Sequence, residues 1–255
     1  EIEDKGQYVE YPDLPLKCMI WSGPGGNTHG SIDITKALMF SCNYFFYTLG
    51  DNMDIELMDE TAAQLGLGEP TGVELPEVLG TRANRETKKK LYSGSDQNWN
   101  PGDSLTAAIG QSDNRFTPMQ LAVYTATLAN KGVRNKATFM NRVVSSDYRE
   151  LLAENTPKVV TDMELDPVVV NAYVEGMKLV VNYPDGTAFS HLWSEVPVTV
   201  AGKTGTAEHA KDKSDHGAFV CFAPAEDPEI AIAVYVECGG HGSTLASIAR
   251  AILIE

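Results

Sequence analysis

The sequence has 255 residues, 43% of them hydrophobic, so it can bury a substantial core and is typical of a folded globular protein. Its formal net charge of -15 disfavours nucleic acids and anionic membrane surfaces as partners, because both require basic patches. No apolar run reaches the roughly 20 residues that cross a bilayer. We interpret the one basic cluster, Lys88 to Lys90, as a solvated surface segment.

The first part of the chain is predicted as loops and helices. Residues 11–30 are rich in glycine and proline and predict a loop. Apolar spacing over residues 31–50 predicts one helix with a glycine at its end. A second helix is predicted for residues 55–68, and residues 69–102 are predicted mostly as loop because they are polar and interrupted by prolines.

The second part begins with two helices that have clear start signals. Residues 116–132 carry a Thr-Pro pair, a glutamine that completes a capping box, and a closing glycine. Residues 166–182 start with Asp-Pro in the same way. Strands are then predicted for residues 196–206, 216–223 and 229–238, with a last helix from residue 243. This order predicts an α+β fold with helices packed on an antiparallel sheet.

The first of these strands ends in the polar run Gly202-Lys203-Thr204-Gly205-Thr206. A phosphate-binding loop would need a glycine at position 197, which is Pro197, and a helix after the lysine. We interpret the run as an edge strand that binds a ligand, with the lysine and bare backbone facing a cleft and the hydroxyls suited to a carboxylate. A glycine-rich strand end that happens to carry a lysine remains an open alternative.

Two Ser-x-Asn triplets accompany this Lys-Thr-Gly, namely Ser41-Cys42-Asn43 and Ser112-Asp113-Asn114. Lys-Thr-Gly and Ser-x-Asn are two of the three motifs of the serine acyltransferases that include penicillin-binding proteins and class A β-lactamases. The segments from about Gly6 to the last helix resemble, in order, the C-terminal transpeptidase domain of class B penicillin-binding proteins. The triplet at Ser112 falls in a stretch that resembles a non-catalytic part of that family, so we favour Ser41 and Asn43.

The resemblance implies roles for the residues that match these motifs. Ser41 would relay a proton toward the leaving amine, Asn43 would hydrogen-bond the substrate backbone, and Lys203 would hold the Ser41 hydroxyl and raise the positive potential. Thr204 and Thr206 would bind the terminal carboxylate of the substrate, and the missing side chain of Gly205 beside Lys203 would let the substrate lie flat on the backbone. The N–H of Thr206 would form half of an oxyanion hole.

The family's first motif, Ser-x-x-Lys, is absent, because no serine of the sequence is followed by lysine three residues later. We therefore expect residues 1–255 to be a partial, single transpeptidase domain of the penicillin-binding protein/serine β-lactamase-like fold. The N-terminal strands and the helix with the nucleophile would be missing, and the chain alone would be inactive. The strand over 229–238 would then have an exposed edge that permits self-association.

The resemblance also implies partners and a location. The substrate would be a peptidoglycan stem peptide ending in D-Ala-D-Ala, β-lactams would bind the same site, and the enzyme would act in the cell envelope, on the outer face of the cytoplasmic membrane. No cofactor is implied, and no metal site is predicted, because neither HExxH nor a paired Cys/His spacing occurs. The alternatives are a D,D-carboxypeptidase or β-lactamase of the same superfamily and a non-catalytic binding or sensor module.

Overall fold

A computed structural model describes residues 1–14, 16–191, 193–208 and 213–255. Pro15, in the predicted loop of residues 11–30, lies outside the described residues. None of the helices in the described ranges combines the length and apolar character needed to cross a membrane. The helices are α1 (Ile34–Phe40), α2 (Asn43–Asn52), α3 (Ile55–Gln64), α4 (Arg85–Leu91), α5 (Pro101–Ala108), α6 (Pro118–Ala129), α7 (Pro167–Asn182) and α8 (Ala246–Ile254). The strands are β1 (Ile2–Asp4), β2 (Gly30–Ile32), β3 (Val133–Asn135), β4 (Arg142–Val144), β5 (Leu151–Glu154), β6 (Val159–Asp162), β7 (Ala201–Ala207), β8 (His216–Ala223) and β9 (Ile230–Val236).

The main sheet is an antiparallel meander in the order β7-β8-β9, paired in unbroken register. Successive side chains of a strand point to opposite faces, and both faces of this sheet are covered. Phe219 of β8 lies in a cluster with Ala246 of α8, whereas Phe222 packs with Ala129 of α6 and Met177 of α7. Helices on an antiparallel sheet confirm the predicted α+β fold.

Both outer edges of this sheet lack a strand partner among the described residues. The outer edge of β7 borders a large cleft, and the strand carries the predicted ligand-binding run. The outer edge of β9 belongs to a strand whose ends, Ile230 and Val236, are exposed. The outer edge at β7 therefore faces a cleft, whereas the outer edge at β9 belongs to a strand with exposed ends.

A second core surrounds α2, on the other side of the cleft. It contains Tyr44 and Tyr47 of the helix together with Tyr8, Ile32 and Leu105, which come from segments far apart in the sequence. The aromatic run after Asn43 thus supplies mainly core residues. This packing fixes the N-terminus of α2 against the cleft.

The helix predicted over residues 31–50 is wrong as one continuous element, since it breaks at Ser41. α1 ends at Phe40, α2 begins at Asn43, and Ser41 adopts left-handed backbone angles of φ 54° and ψ 47°. A non-glycine residue in this region costs roughly 1–2 kcal/mol, so packing must hold it there. The break places Ser41 and Asn43 at the cleft while Cys42 points into the protein.

Two further predictions are corrected. The loop predicted for residues 69–102 contains α4, and Lys88 on this helix is buried and paired with Asp103 of α5, so the lysine cluster is only partly solvated. The strand predicted from residue 196 begins instead at Ala201, because a short 3-10 helix and a bend occupy the preceding residues. The capping box of Thr117 and Gln120 is confirmed at the start of α6.

Candidate active site

A cleft of about 1550 Å³ separates the outer edge of β7 from the N-terminus of α2 and the residues that follow α5. Its walls come from distant parts of the sequence, which the two cores described above bring together. The six residues predicted from the motifs all line it: Ser41, Asn43, Lys203, Thr204, Gly205 and Thr206.

Lys203 connects the two walls of the cleft. Its Nζ atom donates to Oγ of Ser41 at 2.8 Å and to the carbonyl oxygen of Thr204 at 2.9 Å. The first contact is possible because the left-handed turn at Ser41 directs this serine toward β7 rather than into the helix ladder. A cation and a hydroxyl group are thus held next to each other at the floor of the cleft.

The ammonium group of Lys203 is enclosed by protein, although the residue as a whole is only half-buried. Burial disfavours the charged form and lowers the pKa of Lys203 to about 8. The lysine therefore carries a proton at neutral pH and gives it up far more readily than an exposed lysine does. Such a group can both attract an anion and exchange a proton with its neighbour.

The outer edge of β7, which has no strand partner among the described residues, presents backbone groups to the cleft. Nζ of Lys203 reaches the carbonyl of Thr204, and Nε2 of Gln111 donates to the carbonyl of Thr206 at 3.4 Å, so both carbonyls face outward from the sheet. In an antiparallel strand the N–H and C=O of one residue point to the same edge. The N–H of Thr206 is therefore directed into the cleft.

The hydroxyl groups of the same strand are held by neighbouring segments. Oγ1 of Thr206 accepts from the N–H of Gly242 at 3.1 Å, which leaves its own hydrogen available to a ligand. Oγ1 of Thr204 lies 2.8 Å from Oγ1 of Thr187. Gly205 leaves the opposite face of the strand bare beside Lys203, since a Cβ there would meet nothing closer than Ala218, at 3.5 Å.

The second Ser-x-Asn triplet lies in the same cleft but has different contacts. Ser112 adopts a left-handed turn, Oδ1 of Asp113 accepts from Tyr92 at 2.8 Å, and Oδ1 of Asn114 accepts from the N–H of Ala83 at 2.9 Å. Two of its three residues thus organise the cleft wall. Among the described residues, Ser41 is the serine that contacts Lys203.

Gln111 and Thr187 were not identified from the sequence, although both hydrogen-bond to β7. Gln111 lies just before Ser112, in the stretch that the sequence analysis compared with a non-catalytic part of the family. A polar turn whose residues do not cap a helix is a sequence signal that would have pointed to Gln111. Thr187 gives no local signal, because its partner lies on another element.

A group of possible metal ligands lies behind the Ser-x-Asn turn. One donor atom from each of Asp4, Cys18, His29 and Cys42 falls within 4.8 Å of all the others. The two sulfur atoms are 3.7 Å apart, Cys18 Sγ is 3.4 Å from His29 Nδ1, and His29 Nδ1 is 2.8 Å from Asp4 Oδ2. Two sulfurs, one imidazole and one carboxylate form a donor set that can hold zinc.

The cluster is also electrostatically coupled. Hydrogen bonding with Cys42 is the main reason that the pKa of Cys18 lies well below the ordinary thiol value, and the same contact raises the pKa of Cys42. Burial opposes the charge of Asp4, but N–H groups of His29 and Gly6 outweigh it, and the pKa of Asp4 is lowered. Spacing rules do not detect this site in the sequence, because its donors come from four separate segments.

Comparison with known proteins gives one consistent result. The family model described as penicillin binding protein transpeptidase domain matches residues 17–254. A curated relative, the peptidoglycan D,D-transpeptidase MrdA of Acinetobacter baumannii, is 32% identical over 98% of this chain. The chain spans 38% of the length of that relative.

Solved structures agree with the sequence match. The structure of PBP2 from Pseudomonas aeruginosa superposes on this chain with a TM-score of 0.80 and is 28% identical to it. The match covers 98% of this chain and 52% of the Pseudomonas aeruginosa chain. PBP2 of Helicobacter pylori gives a TM-score of 0.78 at 29% identity, and the match covers 98% of this chain and 43% of the Helicobacter pylori chain. The fold of the described residues is thus that of these proteins.

Proposed function

Because this chain belongs to the penicillin-binding protein transpeptidase domain family, we propose that it is part of a serine D,D-transpeptidase that cross-links peptidoglycan stem peptides and is acylated by β-lactams. The observation that carries the proposal is the contact between Lys203 and Ser41 at 2.8 Å beside the open edge of β7. It joins a Lys-Thr-Gly strand to a Ser-x-Asn turn in one cleft. Acyl transfer needs a proton path and an oxyanion site at the same place.

In the proposed reaction a serine attacks the carbonyl between the two D-alanines, the last D-alanine leaves, and a second peptide's amine accepts the acyl group. Ser41 relays the proton toward the leaving amine, and Lys203 holds its hydroxyl and supplies positive potential. The lowered pKa of Lys203, about 8, suits a group that exchanges protons near neutral pH. Asn43 begins α2 and lines the cleft, and in the proposed reaction it hydrogen-bonds the substrate backbone.

The substrate's terminal carboxylate would lie along β7. The hydroxyl of Thr206 is free to donate because it accepts from Gly242, and Thr204 lies beside it with Thr187 as partner. Gly205, on the face that carries Lys203, gives the peptide room to lie flat against the strand. The N–H of Thr206 would stabilise the oxyanion, which supports one half of an oxyanion hole at this edge.

The attacking serine is not supplied by a Ser-x-x-Lys within these 255 residues. In the proposed enzyme it comes from another part of the protein, so residues 1–255 form a partial transpeptidase domain. Stem peptides are components of the cell wall, so the proposed reaction would take place in the cell envelope, on the outer face of the cytoplasmic membrane.

Acylation with a fluorescent penicillin, followed by mass spectrometry of the intact protein, tests the proposal. The full-length protein encoded by the gene should gain one opened β-lactam, whereas the 255-residue chain should gain none. In the full-length protein, Ser41→Ala and Lys203→Met should each lower the acylation rate by about 100-fold or more, because each removes part of the proton path. A full-length protein that is never acylated would overturn the proposal.

A matched pair of variants separates binding on β7 from general damage. Gly205→Ala has room for its methyl group in the folded chain, so its melting temperature should stay unchanged while acylation slows. Ser247 is exposed and its hydroxyl donates to the carbonyl of Thr244, so Ser247→Ala should leave acylation unchanged. Equal acylation rates in Gly205→Ala and the unmodified protein would contradict substrate binding on this strand.

A further inference from the structure

Tyr47 is a buried tyrosine of the cleft whose hydroxyl has no role in the acyl transfer described above. The residue is only 4% exposed, and it lines the cleft. Its hydroxyl has no hydrogen-bond partner within the described part of the chain, whereas that of Tyr8, in the same core, donates to Asp51 at 2.6 Å. Buried tyrosine hydroxyls ordinarily have a partner. The hydroxyl of Tyr47 is therefore available to a ligand that enters the cleft.

A free carboxylate and this free hydroxyl border the same cleft. We propose that Glu208 and Tyr47 bind the side-chain ammonium group of the residue that precedes the two D-alanines in the peptide that donates the acyl group, the donor peptide. The pair would thereby select donor peptides with a basic residue at this position. The inference rests on the proposed function, because it requires a peptide that lies along β7.

Tyr47 lies one helical turn after Asn43 on α2. Residues four positions apart share one face of a helix and are separated by about 6 Å along its axis. Both residues line the cleft. Because Asn43 hydrogen-bonds the substrate backbone in the proposed reaction, Tyr47 borders a part of the same substrate one turn further along the helix.

Glu208 follows directly on β7, which ends at Ala207, and it lines the cleft as well. Its carboxylate forms no ion pair or hydrogen bond with any residue that the structure describes. Burial, and after it the negative charges of Cys18 and Glu208, raise the pKa of Tyr47 to about 12. The hydroxyl of Tyr47 therefore stays protonated, and the potential around it is negative, which favours a cationic ligand.

The direction of the donor peptide along β7 brings one particular residue to this pair. In the proposed complex the N–H of Thr206 binds the carbonyl between the two D-alanines, and the terminal carboxylate lies toward the positive charge of Lys203. The residues before that carbonyl therefore run the other way, past Ala207 toward Glu208. An extended peptide and a β-strand both advance about 3.3 Å per residue. The residue that precedes the D-alanines thus lies beside Glu208.

The chemistry of the pair selects a basic side chain. An ammonium group can donate to the carboxylate of Glu208 and to the phenol oxygen of Tyr47 at the same time. An acidic side chain would be repelled by Glu208, and an apolar one would leave both polar groups without a partner. Phe46, which also lines the cleft, offers apolar surface to the methylene groups of a long basic side chain.

The test uses the full-length protein and measures how strongly a peptide slows its acylation by a fluorescent penicillin. The probes are Nα-acetyl-L-lysyl-D-alanyl-D-alanine and the same peptide with norleucine in place of lysine, which lacks the ammonium group. The lysine peptide should halve the acylation rate at about one-tenth of the concentration that the norleucine peptide requires, since only lysine makes the charged hydrogen bonds. Equal concentrations for the two peptides, or no competition by either, would overturn the inference.

The acylation rate without any peptide separates this inference from the proposed function. A protein that the penicillin acylates, but that binds both peptides equally, retains the proposed function and contradicts the role of Tyr47 and Glu208. A protein that the penicillin never acylates contradicts both. Acylation together with a preference for the lysine peptide supports both.

Variants assign the preference to the two residues. Glu208→Gln should reduce it to about twofold or less, and Tyr47→Phe, which keeps the ring, should reduce it by about threefold. Glu208→Lys should instead favour a peptide with glutamate in place of lysine, because the charge at this corner is reversed.

Glu229→Gln is the matched control, because Glu229 is an exposed glutamate that does not line the cleft, and it should keep the full preference. Each preference is a ratio measured within one protein, so a smaller folded fraction of a variant does not change it. An undiminished preference in Glu208→Gln, or an equal loss in Glu229→Gln, would contradict the assignment.

Discussion

Nζ of Lys203 lies 2.8 Å from Oγ of Ser41, although 162 positions separate the two residues in the sequence. The contact spans the cleft and joins the sheet to the helices around α2. The distance between these two atoms therefore shows whether the strand with Lys-Thr-Gly and the turn with Ser-x-Asn are assembled. Its energy can be measured in the folded chain without any catalytic assay.

We expect a double-mutant cycle to detect this contact. Ser41→Ala removes the hydroxyl that accepts from the ammonium group, and hydrogen bonds to charged groups contribute about 1.5–3 kcal/mol. Lys203→Met keeps the side-chain volume and removes the donor. Urea unfolding of both single variants and the double variant should give a coupling free energy of about 1–2 kcal/mol; a value near zero would mean that the contact is not maintained in solution.

The depressed pKa of Lys203 predicts a pH-dependent contribution to stability. Between about pH 8, its folded value, and about pH 10.5, its unfolded value, the unfolded chain holds more protons than the folded chain. The unmodified chain should therefore gain stability relative to Lys203→Met as pH rises through this window. Allowing for partial solvent access, the gain should be on the order of 1–2 kcal/mol.

Urea unfolding of both chains at pH 7.5 and pH 10 measures this difference, because titration of all other groups cancels in the comparison. The contribution is fully present above the unfolded pKa and lost as pH falls through the folded value. A difference that stays constant over the window, or that changes in the opposite direction, would refute the depressed pKa.

The buried pair of Lys88 and Asp103 predicts a strong asymmetry within one lysine cluster. Lys88→Ala leaves the Asp103 carboxylate without its cation in the cleft wall, which should lower the unfolding free energy by about 2–3 kcal/mol. This is below the roughly 3–5 kcal/mol of fully buried pairs because Asp103 retains some solvent access. Lys89→Ala, at an exposed neighbouring position, is the matched control and should change stability by less than about 0.5 kcal/mol. Similar losses in both would argue against a buried pair.

Two glycines of β7 should respond differently to the same change. A Cβ at Gly202 would lie 2.8 Å from Cζ of Phe219 and 3.0 Å from Cγ2 of Val181, inside the packed core. Gly202→Ala should therefore cost about 1–3 kcal/mol, as overpacking does. Gly205→Ala should stay within about 0.5 kcal/mol of the unmodified chain, and thermal unfolding of the two variants side by side checks the contrast.

Much of the site was accessible from the sequence because motif residues carry their own chemistry. Lys203 and Ser41 were predicted to meet, and the structure brings them together. The break at Ser41 was not predicted, because the apolar spacing of residues 31–50 continues across it and the left-handed turn depends on packing. Lys88 was misassigned for a similar reason, since its partner Asp103 lies on another helix.

The metal-ligand cluster shows the limit of such reasoning most clearly. Spacing rules detect ligands that one helix or one turn presents together, whereas Asp4, Cys18, His29 and Cys42 come from four segments. Each residue alone has an ordinary structural interpretation. Their proximity is a property of the assembled fold.

The outer edge of β9, which has no strand partner among the described residues, has a consequence for handling the isolated chain. A row of unbonded backbone groups at an apolar strand invites edge-to-edge association, and the net charge of -15 opposes it by mutual repulsion. Because the Debye length falls from about 10 Å at 0.1 M salt to about 3 Å at 1 M, this repulsion is weaker in concentrated electrolyte. The apparent mass from light scattering should accordingly rise with salt, so dilute buffers are the conditions in which the chain keeps its colloidal stability.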